Sequence, residues 1–217
     1  MKNVVIMVLG ILAMNSAYAG EIEFEIGTGF NYYQEQHDGA WYQKAYPHWL
    51  DMKSTPLSIG ISQKTGKNRY RVEFVYLGPM YIQAAFVPDG VYNPANTGCV
   101  GAGTCDLYVL QGRGSTSGVL LSASRDVPIW GLPFYAEAGL FANVHKWKVS
   151  VMKPDGTLLA EVEREYQITY GPTLGFGIRY SGVDVGIRYY YLDDSSEDDP
   201  ITPAHIGAIA IEYKIYF

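Results

Sequence analysis

Ile22, Phe24, Ile26, Phe30 and Tyr32 alternate with Glu21, Glu23, Glu25, Gly27, Gly29 and Asn31. A period of two places the first set on one face of a β-strand and the second on the other. Three glutamates on one face need water or counter-charges, so this strand is predicted to present its second face to a polar interior. Leu57, Ile59 and Ile61 repeat the pattern before a compact turn in Lys64-Thr65-Gly66-Lys67-Asn68. Tyr70, Val72, Phe74 and Tyr76 then oppose Arg69, Arg71, Glu73 and Val75, completing a hairpin. A fourth segment over 117–125 is less regular, and 126–133 reads as a turn.

Three further segments alternate more cleanly. Phe134, Ala136, Ala138 and Leu140 stand against Tyr135, Glu137, Gly139 and Phe141; Ile168, Tyr170, Leu174 and Phe176 against Gln167, Thr169, Thr173 and Gly175; Val183, Val185, Ile187 and Tyr189 against Asp184, Gly186 and Arg188. The eighth segment closes on Ile211, Tyr213, Ile215 and Phe217, with Glu212, Lys214 and Tyr216 between them. Connections after the second, fourth and sixth segments are short, whereas those over 33–55, 79–114, 149–165 and 193–203 are long and polar. Short turns at one end and long loops at the other predict an all-β fold, an eight-stranded antiparallel up-and-down transmembrane β-barrel with its long loops outside the cell.

The N-terminus gives the address. Lys2, an apolar run over 4–14 and the small-residue end Ala17-Tyr18-Ala19 predict a cleaved secretory signal peptide over 1–19, with the barrel over 20–217. The run is too short to span a bilayer. Composition agrees, since 24 Gly and 19 Tyr with only 18% charged residues are unusual for a water-soluble protein but suit a barrel with interfacial aromatics. A net charge of -6 argues against a nucleic-acid partner. Cys99 and Cys105 lie close together in a Gly/Asn/Pro-rich stretch of an exported chain and are read as a local disulfide; no further ligand stands nearby for a metal.

Strand direction places Glu23, Glu25, Arg71, Glu73, Glu137, Asp184 and Arg188 in the lower to middle barrel, and Arg179, Glu212 and Lys214 at similar depth. An eight-stranded barrel is filled by its own side chains. The expectation is a paired polar core that holds the barrel rigid, with Glu23 or Glu25 near Lys214 across the closure. The alternative is a gated path in which exchanged partners open the lumen to cations.

The stretches PFYAEAGLFANV, YGPTLGFGIRYSGVDVGIRYYYL and IEYKIYF resemble the small eight-stranded outer-membrane barrels, namely the transmembrane domain of outer membrane protein A and the outer membrane protein X and Ail type. The resemblance implies residence in a Gram-negative outer membrane among lipid and lipopolysaccharide. It also implies that Tyr213, Ile215 and the terminal Phe217 are similar to the signal read by the barrel assembly machinery. No cofactor is implied. Outer-loop aromatics Trp41, Tyr42, Tyr46, Trp49 and Tyr92 are candidate contacts for an extracellular or host ligand.

Some barrels of this size edit lipid A, which requires a nucleophile beside an oriented base. His145 with Ser150, and His48 with Asp51 and Ser54, are the available sets. The His-x-Ser pattern of the deacylase barrels is absent, and the one Asp-Ser pair, Asp194-Ser195, sits in the acidic run DDSSEDDP, which reads as solvated loop. The chain is therefore expected to be non-enzymatic, presenting its loops for envelope integrity, adhesion or resistance to host factors, with a narrow channel and a lipid A-modifying enzyme as alternatives.

Overall fold

The computed structural model describes residues 21–36, 45–51, 53–86, 108–153, 155–163, 168–192 and 204–217. The expected signal peptide over 1–19, Cys99, Cys105, Trp41, Tyr42, Tyr92 and Asp194-Ser195 lie outside the described residues. The strands are β1 (Glu21–Gln36), β2 (Ala45–Asp51), β3 (Lys53–Ser54), β4 (Leu57–Thr65), β5 (Asn68–Phe86), β6 (Tyr108–Ile129), β7 (Leu132–Met152), β8 (Leu158–Glu163), β9 (Ile168–Tyr180), β10 (Val183–Tyr191) and β11 (Ala204–Tyr216). Eight of them, in the order β11-β10-β9-β7-β6-β5-β4-β1, close into a ring because β1 also pairs β11. Every pairing is antiparallel, and at the seam Ile26 faces Ile215 and Phe30 faces Ile211. Backbone bonds between Phe24 and Phe217 carry the seam to the last residue.

The outward face is a continuous apolar band. Phe24, Ile59, Phe74, Leu140, Phe176 and Ile211 are all exposed on it, while Glu25, Glu73, Glu137 and Lys214 are buried on the other side. A molecule with its charges inside and its large apolar side chains outside is matched to lipid, which satisfies neither an open sheet edge nor an exposed charge.

Three tight turns mark one end. Gly66 has φ +61, and the pairs Trp130-Gly131 (51 and 78) and Ser181-Gly182 (49 and 79) both hold positive φ. Two successive positive-φ residues make the type I′ geometry whose twist matches that of the flanking strands. A serine in the left-handed region is strained, whereas asparagine tolerates it through local hydrogen bonding. Ser181→Asn is expected to raise barrel stability by up to about 1 kcal/mol, read as a higher denaturant midpoint in detergent.

The wall is taller than the alternation predicts. Both ends of the connection expected over 79–114 are strand: β5 runs on to Phe86 and β6 begins at Tyr108. The reason is a bulge, since Tyr76 pairs Ser117 but Pro79 pairs Ser115. Gly78, at φ +87, supplies the extra residue, after which Met80 is again buried. Pro79 reads as a loop signal but is tolerated at a bulge, where no ladder donor is needed. Likewise β8 lies within the expected connection over 149–165, β2 and β3 lie within 33–55, and the 126–133 turn shrinks to Trp130-Gly131.

Candidate functional site

The lumen has two storeys. In the lower one, Arg71 is the hub: its Nε lies 3.2 Å from Glu25, one Nη pairs with Glu137, and the other lies 2.5 Å from Asp184 and donates to the Tyr216 hydroxyl. Arg179 bridges Asp184 (2.9 Å) and Asp126, and donates to Ser124 at 3.0 Å. Arg69 pairs with Glu23 and stacks its guanidinium 4.1 Å over the Tyr216 ring.

One level higher, Arg188 joins three strands by reaching Glu137 (2.5 Å), Glu73 (3.2 Å) and Glu212 (2.9 Å). Lys214 pairs with Glu73 and lies 3.4 Å from Glu212, whose other oxygen accepts from the Tyr190 hydroxyl at 2.5 Å. Buried charges persist when paired and hydrogen-bonded on several sides, and Arg71, Arg179 and Arg188 each serve two or three carboxylates while Arg69 serves Glu23.

This geometry brings together all ten charged residues singled out from the sequence, but with different partners at the seam. Lys214 stands opposite Gly27 and contacts Glu73 and Glu212, while Glu23 and Glu25 pair with Arg69 and Arg71. The closure register puts Tyr216, not Lys214, beside Glu25. Sequence reasoning missed Arg69 and Asp126. Arg69 sits on the inward face of its segment and was legible there; Asp126 was hidden by the reading of 126–133 as a turn.

The upper storey is apolar. Val75, Leu77, Leu120, Phe141, Leu192 and Ala208 are buried in the lumen, with Phe141 edge-on to Tyr190 at 5.2 Å. Tyr33 donates to the Gly78 carbonyl at 2.8 Å, and Asn31 and Ser54 both donate to the Leu77 carbonyl. A mainly apolar layer therefore lies above the ion pairs. Asn31, Thr116, Asn143 and His145 are buried among these apolar groups, so the layer is closed by packed side chains.

The hydroxyl and imidazole sets do not converge. His145 faces inward, its Nδ1 2.6 Å from Thr116 Oγ1, whereas Ser150 is five residues on and therefore on the opposite face of β7. Ser54 is engaged with Asn31 and Leu77. His48, Tyr46 and Trp49 fall on β2. Among the described residues no group of three His, Cys, Asp or Glu side chains is arranged to hold a metal ion.

Beyond the apolar band a sheet stands proud of the ring. β6 and β7 have 22 and 21 residues, roughly twice the 9–11 that cross a bilayer. β2 pairs the upper part of β5 and β8 the upper part of β7, giving the order β2-β5-β6-β7-β8. One face of it is buried through Met80, Trp147 and Val149. The other carries Tyr81 with Arg113 packed over it at 5.5 Å, and Lys146 and Lys148. Arg113 stands directly opposite Lys148. Glu161 lies 2.8 Å from Lys148, and that hydrogen bond holds the ammonium pKa above its ordinary value.

The chain has the fold of a small eight-stranded transmembrane β-barrel. No family model matches it, and no curated protein matches it. Among solved structures it is similar to Ail, the attachment invasion locus protein of Yersinia pestis, in complex with the heparin analogue sucrose octasulfate, at 14% identity over 91% of this chain and 99% of that one, TM-score 0.47. It is also similar to Neisserial surface protein A, at 13% identity over 90% of this chain and 97% of that one, TM-score 0.36. The translocator domain of the autotransporter NalP from Neisseria meningitidis matches at 11% identity over 99% of this chain and 96% of that one, TM-score 0.30.

Proposed function

We propose that this chain is a sealed outer-membrane barrel that presents a protruding β-sheet and its connecting loops to the exterior, without enzymatic activity, for envelope integrity, adhesion or resistance to host factors. The observation that carries the reading is the five-stranded sheet built beyond the apolar band over a plugged lumen. Strand length beyond what lipid requires has a role outside lipid. Arg113, Lys146 and Lys148, with Glu161 and Glu163 beside Lys148, give that sheet a charged outer face just past the band, whose cations suit lipopolysaccharide phosphates or an acidic extracellular ligand. Tyr213, Ile215 and Phe217 lie outward on and just after β11, open to the barrel assembly machinery.

The test is replacement of residues 81–113 and 146–163 by short turns. The shortened barrel is expected to keep its heat-modifiable gel mobility, while cells carrying it lose binding to host-matrix surfaces that cells with the full chain retain. Equal binding by both, or by cells lacking the protein altogether, would sink the reading.

The apolar storey yields a second expectation. The intact barrel in planar bilayers shows no sustained conductance steps, and lipid A from cells with and without the protein has the same mass. A stable open level would restore the channel alternative, and a change of one acyl chain the enzymatic one.

A further inference from the structure

At the tight-turn end the lumen opens into a cavity of about 490 Å³, within the range of small-ligand sites. Its charged lining is Lys64, Lys67, Arg69 and Arg179 against Glu23 and Asp126. The lining carries four cations to two carboxylates, with Asp184 also paired to Arg179 and Glu21 opposite Lys64, on a chain whose net charge is -6. The two acids are already committed, Glu23 to Arg69 and Asp126 to Arg179. Lys64 and Lys67 have no ion-pair partner among the described residues.

Three features of placement favour an anion here. Lys64 stands directly opposite Arg69 across the β4–β5 ladder, with Glu21 on its other side. Like charges directly opposed on neighbouring strands bring two cationic groups to one stretch of the cavity wall, beside Glu21 and Glu23. Arg69 is buried, yet its Nε makes no hydrogen bond while its Nη1 serves Glu23 and Ser62. A buried guanidinium with an idle donor, lining an open cavity, has capacity for one more acceptor. The backbone of Lys67 is fixed in place, because the Asp126 amide donates to its carbonyl at 2.8 Å and ties the turn to β6.

We propose that this mouth is an oxyanion site, in which Lys64, Lys67 and Arg69 hold a phosphate-class anion. Lysines supply mobile point charges and the arginine a fixed planar donor, the pairing that phosphate recognition uses. The short turns place the mouth on the periplasmic side, so the phosphate comes either from a soluble phosphorylated compound or from a headgroup of the adjoining leaflet.

The experiment follows the backbone amides of Gly66, Lys67 and Gly182 by NMR in the barrel folded in a maltoside detergent, which carries no phosphate of its own. Inorganic pyrophosphate is titrated against the intact barrel and against Lys64→Gln/Lys67→Gln, whose exposed side chains lie outside the ion-pair core. Saturable shifts that weaken at least tenfold in the double variant support the site. In nanodiscs, the same amides shifting when phosphatidylglycerol replaces phosphatidylcholine, with loss of the pyrophosphate response, would assign the site to a lipid headgroup. Shifts that match those of added potassium chloride, equal affinity in the double variant, or no saturable shift in either medium would overturn the proposal. Heat-modifiable mobility of each sample establishes beforehand that the barrel is folded, so an unfolded variant is not mistaken for a lost site.

Discussion

Arg71→Met is expected to cost the barrel about 3–5 kcal/mol, read as a much lower denaturant midpoint in mild detergent. The guanidinium sits where Glu25, Glu137 and Asp184 converge, and its side chain is about 1% exposed. Removing it leaves three buried carboxylates facing one another with no cation of equal reach. Arg188 still holds Glu137 and Arg179 still holds Asp184, so Glu25 is the group most exposed to the loss. A substitution that removes one of these carboxylates should recover part of the damage. Arg71→Met/Glu25→Gln is therefore expected to unfold at a higher denaturant concentration than Arg71→Met alone, although Glu25→Gln in the intact barrel lowers the midpoint. A coupling of this sign in a double-mutant cycle identifies the pair as interacting. If the two changes simply add, or if Arg71→Met refolds like the parent, the ion-pair core does not hold the barrel together in the way the distances imply.

The second large effect is expected at the closure. A Cβ added to Gly29 would lie 1.8 Å from the Ile211 carbonyl oxygen and 2.9 Å from its carbon, both backbone atoms of the strand that seals the ring. Side chains yield to overpacking by changing rotamer, at roughly 1–3 kcal/mol, but a backbone carbonyl can move only by breaking the β1–β11 ladder. Gly29→Ala should thus fall at or above the top of that range and leave most of the refolded protein without the compact, heat-modifiable band. In lipid an unclosed seam exposes donors and acceptors that nothing else satisfies. An alanine variant with parental mobility and midpoint would show that the seam can relax.

The alternation of Glu21–Glu25 with Ile22–Ile26, and its recurrence in the hairpins around 66, 131 and 182, was enough to read the barrel, its strand directions and the inward identity of ten charged residues. Those features are local: a period of two assigns a face without any knowledge of neighbours. The strand extensions were not legible, because Gly78 and Pro79 break the period and carry turn signals, and only pairing with β6 shows a bulge within a continuing strand.

Sequence by itself therefore pointed to a membrane barrel with charge inside and apolar side chains outside, since eight alternating segments joined by short and long connections in turn, several with charges on one face, suit a closed sheet in lipid. Tertiary structure alone decided who pairs with whom. The stagger of neighbouring strands sets Lys214 opposite Gly27 and sends its ammonium across the lumen to Glu73, gathers Glu25, Glu137 and Asp184 on Arg71, and stacks Leu120, Phe141 and Leu192 into a plug. Stagger is a property of the closed ring, fixed by all eight strands at once, so no single strand encodes the contacts it produces.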